Sequence, residues 1–174
     1  MLAAIGTGDE RAFRALMDRH LDRVHAVAMR FCGSQADAED IAQEAFMRVW
    51  RKASGFRPDK AKVTTWLHAI VANLCIDHGR RRRWKSWLPL GDNDDFADSG
   101  PLPETVVADR DELARVSRAI RRLPDRQRMA LVLSVTGGHS NGEVGDILGI
   151  STGAVEQALF RARKTLKEQF DDRL

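Results

Sequence analysis

Cysteine is scarce in this chain: only Cys32 and Cys75 occur in 174 residues, too few for a disulfide framework. Both fall inside helical apolar patterns, where buried free thiols are the ordinary outcome. Cys75 and His78 lie one helical turn apart and could share a metal with Cys32, but no CxxC or HxxxH pair supports a metal site. No apolar run approaches the ~18 residues of a membrane span. The N-terminus shows no charged-then-apolar leader, so the expectation is a cytoplasmic protein with no membrane contact of its own. Also missing are a nucleophile beside a base and a phosphate-binding loop. These absences argue against an enzyme and imply no cofactor. Proline is sparse too, and three of the five prolines crowd into residues 88–108.

That crowding coincides with a break in charge. Residues 1–87 carry 16 basic and 10 acidic side chains, residues 88–108 carry five acidic and no basic ones, and residues 109–174 carry 12 basic and 10 acidic. Two basic blocks flanking an acidic, aperiodic joint suggest two modules that touch one polyanion through a tether that avoids it. The joint could alternatively occupy a basic groove until a nucleic acid arrives.

Hydrophobic periodicity makes both blocks helical. Asp9–Phe31 places Phe13, Leu16, Met17, Leu21, Val24, Val27, Ala28 and Phe31 at 3.6-residue spacing and closes on Gly33; His20 and His25 read as ordinary helix residues. A second helix, capped by Ser34 or Asp37 and running to about Ala53, turns Ala38, Ile41, Ala42, Ala45, Phe46, Val49 and Trp50 inward. Its other face shows Asp37, Asp40, Gln43, Glu44, Met47, Arg48 and Arg51. The acid-to-base order suits the helix dipole on a solvated face, and equally suits a protein-docking face with Met47 at its apolar centre. Turn residues at Ser54–Asp59 end this helix and leave Phe56 either folded onto the core or waiting for a ligand.

The third helix begins near Lys62. It has Trp66, Leu67, Ile70, Val71 and Leu74 on one face, then Arg80, Arg81, Arg82, Arg83 and Lys85 with Trp84 and Trp87 between them. A helix anchored at one end and cationic with flat aromatics at the other can hold phosphates and stack bases. It can also be no more than a solvated basic helix end. Residues 1–87 thus read as one helical domain.

In the second block, Asp109–Leu123 turns Leu113, Val116, Ala119, Ile120 and Leu123 inward until Pro124 stops it. Asp125–Val135 follows with Met129, Leu131, Val132 and Leu133 apolar, ending at Gly137-Gly138. Ser140 then caps a short helix with Val144, Ile147 and Leu148, Gly149 makes a turn, and Ser151 caps a longer helix with Val155, Leu159, Ala162 and Leu166 inward. Gly145 stands where two helices approach closely. This is helix-turn-helix spacing, although a hairpin used only for packing needs the same glycine and caps. The last helix exposes Glu156, Gln157, Phe160, Arg161, Arg163 and Lys164, types that reach phosphates and base edges in a major groove.

Five blocks together, DAEDIAQEAFMRVWR at 37–51, FRP at 56–58, TWLHAIVANLCIDHGRRRR at 65–83, LPDRQRMALVL at 123–133 and the helix-turn-helix from Ser140, resemble the extracytoplasmic-function (ECF) group of bacterial sigma factors over nearly the whole chain. The resemblance implies an all-α chain of two small domains, residues 1–87 and 109–174, joined by the acidic linker 88–108. It implies core RNA polymerase, promoter DNA and an anti-sigma factor as partners. The face from Asp37 to Arg51 would dock on polymerase. Phe56, Trp66 and Asn73 would serve capture of a base flipped from the −10 element, with Arg80–Arg83 on phosphates; an amide that both donates and accepts suits a base edge, and extrusion costs a few kcal/mol. The C-terminal domain would read the −35 duplex through Ser151, Glu156, Gln157, Phe160, Arg161, Arg163 and Lys164. The family often has threonine at Ala154, basic and small polar residues at 156–158, and alanine at Gly145. Glu156 could instead accept from a cytosine amino group and Gln157 could pair with adenine. An autonomous helix-turn-helix regulator binding duplex DNA as a dimer, or a sigma mimic that sequesters an anti-sigma factor, are the rival readings.

Overall fold

The computed structural model describes residues 1–86 and 107–171; most of the linker, Trp87 and the last three residues lie outside them. The described residues form eight α-helices and one short 3₁₀ turn: α1 Leu2–Gly6, α2 Glu10–Cys32, α3 Gln35–Lys52, η1 Ala53–Gly55, α4 Val63–Ser86, α5 Val107–Arg122, α6 Asp125–Val135, α7 Asn141–Leu148 and α8 Thr152–Asp171. The fold is all-α in two groups, as the periodicity implied.

Local chemistry sets the helix ends. Asp9 caps α2 by accepting from the backbone N–H of Arg11 and Ala12, and Gly33 closes it in the left-handed region. Ser34 caps α3. α7 starts with a full capping box, in which Ser140 accepts from the Glu143 backbone and the Glu143 carboxylate accepts from the Ser140 backbone.

In the N-terminal group α3 packs along α2 and α4 lies against both, while α1 closes over η1. Leu16, Val24, Val27, Phe31, Val49, Leu67 and Val71 are essentially inaccessible, each contributing about 1.5–3 kcal/mol by burial. In the C-terminal group α6 and α7 pack on α8, burying Met129, Leu133, Val144, Val155 and Leu159. The helix-turn-helix depends on two glycines. Gly149 has φ 64°, where a side chain is disfavoured. At Gly145 a Cβ would lie 2.8 Å from the Ile150 carbonyl oxygen, so α7 meets the turn backbone directly.

Several expectations need correction. Leu21 is 39% exposed, Trp50 37% and Leu113 62%, although periodicity assigns all three inward. Trp50 lies at the rim with its ring edge-on to Phe13 at 5.1 Å. Further along α5 Ala119 is buried, as is Leu123 just past its end. α5 also starts at Val107, two residues inside the expected linker. α1, with Leu2 and Ile5 buried, went unread because five residues are too few to show a period. Cys32 and Cys75 are buried free thiols as expected.

The two groups also share an interface. α6 packs on α2 and α4, and α7 on α4, so the buried apolar residues run as one continuous cluster from Leu2 to Ala162.

Candidate nucleic-acid interface

On α3 the residues Asp40, Gln43, Met47 and Arg51 are exposed, with Glu44 and Arg48 part-exposed, at spacings that share one face. Met47 is 41% exposed in the middle of it. Glu44 accepts from Arg48 at 2.7 Å, and that bond lowers its pKa. Asp37 sits at the edge, with Oδ2 3.3 Å from His78 Nε2 and 4.0 Å from Arg82 Nη1 on α4. This one member of the expected docking face is drawn towards α4.

After α3, η1 delivers Phe56, whose ring lies 5.2 Å from that of Trp66. Both are half-buried. Beside them Lys52, Ser54, Gly55 and Trp66 line a cleft of about 330 Å³. Asn73 is exposed on α4, seven residues on from Trp66 and therefore on the same side of the helix. The structure thus puts Phe56 and Trp66 in direct contact and Asn73 on the same side of α4, about two helical turns further on.

The arginine run behaves less uniformly. Arg81 is exposed and Arg80 pairs with Asp77 at 2.8 Å. Arg83 instead reaches across to α6. Its Nη1 donates to Asp125 Oδ1 at 2.7 Å and its Nη2 to Asp125 Oδ2, a bidentate grip. Trp84 is 73% exposed.

Ser151 just before α8, and Glu156, Gln157, Phe160, Arg161, Arg163 and Lys164 on it, are all exposed, opposite buried Val155, Leu159 and Ala162. Phe160 is 69% exposed. Ser151 Oγ accepts from the Ala154 N–H at 3.2 Å, so its hydroxyl oxygen is shared with the helix cap.

Sequence reasoning missed the residues that join the modules. Lys62 Nζ donates to Glu143 Oε1 at 2.9 Å. His68 on α4, wholly buried, has Nδ1 3.1 Å from His139 Nε2. Arg128 is buried with its guanidinium 3.8 Å from the Phe31 ring centroid, donating to Asp125 at 2.7 Å and to the Arg121 carbonyl at 3.0 Å. Burial lowers the pKa of Arg128. Burial alone would raise that of Asp125, but its bonds to Arg83 and Arg128 hold it below the usual carboxylate value. Phe31, Arg82, Arg83, Arg121, Arg122 and Arg128 line much of an inter-module cleft of about 540 Å³. A histidine in an otherwise apolar stretch of α4, and an arginine inside an apolar α6, were the signals available; each needs a polar partner once buried.

The sigma-70 region 2 profile matches residues 16–85, and that of sigma-70 region 4 matches residues 113–166. The ECF RNA polymerase sigma factor SigM of Mycobacterium tuberculosis is 37% identical over 166 residues, spanning 95% of this chain and 81% of its own length. The chain belongs to the ECF sigma factors. SigW of Bacillus subtilis, another ECF sigma factor, is 32% identical over 173 residues, covering 95% of this chain and 92% of SigW. Among solved structures, CnrH in complex with the cytosolic domain of CnrY superposes with a TM-score of 0.72 at 27% identity, covering 99% of this chain and 96% of that one; CnrH is an RNA polymerase sigma factor of Cupriavidus metallidurans. Sigma factors bind core RNA polymerase and promoter DNA and are not enzymes. Among the described residues no helix is long and apolar enough to cross a membrane.

Proposed function

We propose that this sigma factor divides its work at the boundaries the charge pattern suggests. Residues 1–87 dock on polymerase and open the −10 element, 88–108 tether, and 109–174 read the −35 duplex. The observation that carries this reading is the Phe56–Trp66 pair beside the cleft of about 330 Å³, with Asn73 on the same side of α4. Two aromatic rings at a cleft, next to an exposed amide, suit an unstacked base. Arg80–Arg83 hold phosphates nearby, and α3 from Asp37 to Arg51 offers polymerase a charged face around Met47. On α8, Arg161, Arg163 and Lys164 anchor the duplex backbone, while Glu156 and Gln157 meet base edges and Phe160 offers an apolar contact.

The chain works in the cytoplasm, where polymerase and promoter are. An anti-sigma factor covers these faces until they are needed; the related CnrH was solved with a bound protein partner, the cytosolic domain of CnrY. Run-off transcription with core polymerase on a promoter library tests the whole. Defined transcripts that require both components, with Asn73→Ala altering −10 preference, support it. Duplex binding that ignores polymerase would replace it with an autonomous regulator, and polymerase binding without opening would favour a sigma mimic.

A further inference from the structure

We propose that this sigma factor has a closed, autoinhibited form, and that the buried His68–His139 pair is its latch, shut while both imidazoles are neutral and released when they are protonated.

Closure is incompatible with reading both promoter elements. Positions −35 and −10 lie 25 base pairs apart, about 85 Å at ~3.4 Å per base pair. A compact chain of this length has a radius of gyration of only about 16 Å, so modules in contact cannot span that distance. The contact also uses up promoter-side chemistry. Asp125 takes the Arg83 guanidinium in the two-oxygen manner of a phosphate.

The latch geometry is selective for neutral rings. His68 Nδ1 is 2.9 Å from the Thr64 carbonyl, which requires that nitrogen to carry its proton. His139 Nε2, 3.1 Å away, must then be the bare acceptor, leaving its proton on Nδ1, which lies 3.9 Å from Glu143 Oε2. A second proton on His139 would set two N–H groups against each other. A second proton on His68 would go to Nε2, which is buried without a hydrogen-bond partner.

The groups facing the pair are mixed in sign, and burial sets the net direction. From α2 come Arg23 and His20, from the start of α4 Lys62 and Thr64, and from α7 Glu143. Burial, then the neighbouring His139, holds His68 down at about 4, with only the Thr64 carbonyl opposing. Burial lowers His139 as well, aided by Arg23 and Lys62 and opposed by Glu143. Because the closed form binds these protons more weakly than open, solvated imidazoles would, closure is fully favoured above the ordinary histidine value of 6.5 and weakens as pH falls below it. For His68 alone the closed-to-open ratio falls about tenfold between pH 7.5 and 5.5.

Small-angle X-ray scattering on the full chain, without polymerase or DNA, tests this independently of the promoter assignments. The radius of gyration should rise between pH 7.5 and 5.5 while helix content by circular dichroism holds. The His68→Gln/His139→Gln chain, which keeps neutral hydrogen-bonding groups, should show no such rise. An unchanged radius in the parent chain overturns the latch, as does an expansion that persists in the double variant. Expansion accompanied by loss of helix is acid unfolding and overturns it too.

Discussion

Asn73 is the side chain whose replacement addresses promoter choice most directly. It is exposed on α4 and makes no contribution to the core, so Asn73→Ala should leave the melting temperature nearly unchanged. Transcripts from a −10 library should nonetheless lose discrimination at one position, with a base preference worth about 1–3 kcal/mol relaxed. Gly145 is the opposite case, set by a close backbone contact within the fold. Its missing Cβ leaves room for the Ile150 carbonyl, which would otherwise lie 2.8 Å away. Gly145→Ala should therefore lower stability by about 1–3 kcal/mol through overpacking, despite alanine's better helix propensity. The denaturation midpoint checks the sign.

At the scale of elements, α8 supplies the charge that should govern duplex affinity. Arg161→Ala or Lys164→Ala should each lessen the slope of log affinity against log salt by about 0.9 on a −35 duplex, measured by fluorescence anisotropy. An unchanged slope would take those side chains off the phosphates. Elements were also where the sequence was most legible. α2 through α8 follow from apolar spacing, and many of their ends follow from Asp9, Ser34, Pro124, Ser140, Gly149 and Ser151. Periodicity failed at helix rims, where Leu21, Trp50 and Leu113 continue the apolar spacing but are exposed. It could not register the pairs between modules, because Arg83–Asp125, His68–His139 and Lys62–Glu143 are separated by 42, 71 and 81 residues. The Phe56–Trp66 contact was half legible: resemblance assigned both rings to one task, while their 5.2 Å approach required the folded loop.

For the whole molecule, the continuous core predicts coupled unfolding. All four tryptophans lie in residues 1–87, so their fluorescence reports the N-terminal module, while far-ultraviolet circular dichroism reports both. At pH 7.5 the two probes should give coincident urea transitions. Separate transitions would mean that the modules unfold independently and that Arg83–Asp125 and His68–His139 add little. The Lys62–Glu143 pair should matter less, because Lys62 is 75% exposed. A double-mutant cycle on it should return about 0.2–1 kcal/mol, shrinking with salt.

Glu143 concentrates these dependencies in one carboxylate. Its Oε2 accepts from the backbone and hydroxyl of Ser140 at the start of α7, and its Oε1 accepts from Lys62 across the interface. These bonds bring its pKa down to about 2, led by the Lys62 contact. The same residue caps the first helix of the helix-turn-helix and helps hold that motif against the other module. A lineage adjusting how tightly its modules close therefore cannot use this position without also altering how well the helix begins. Changing closure without disturbing the start of α7 is left to contacts such as His68–His139.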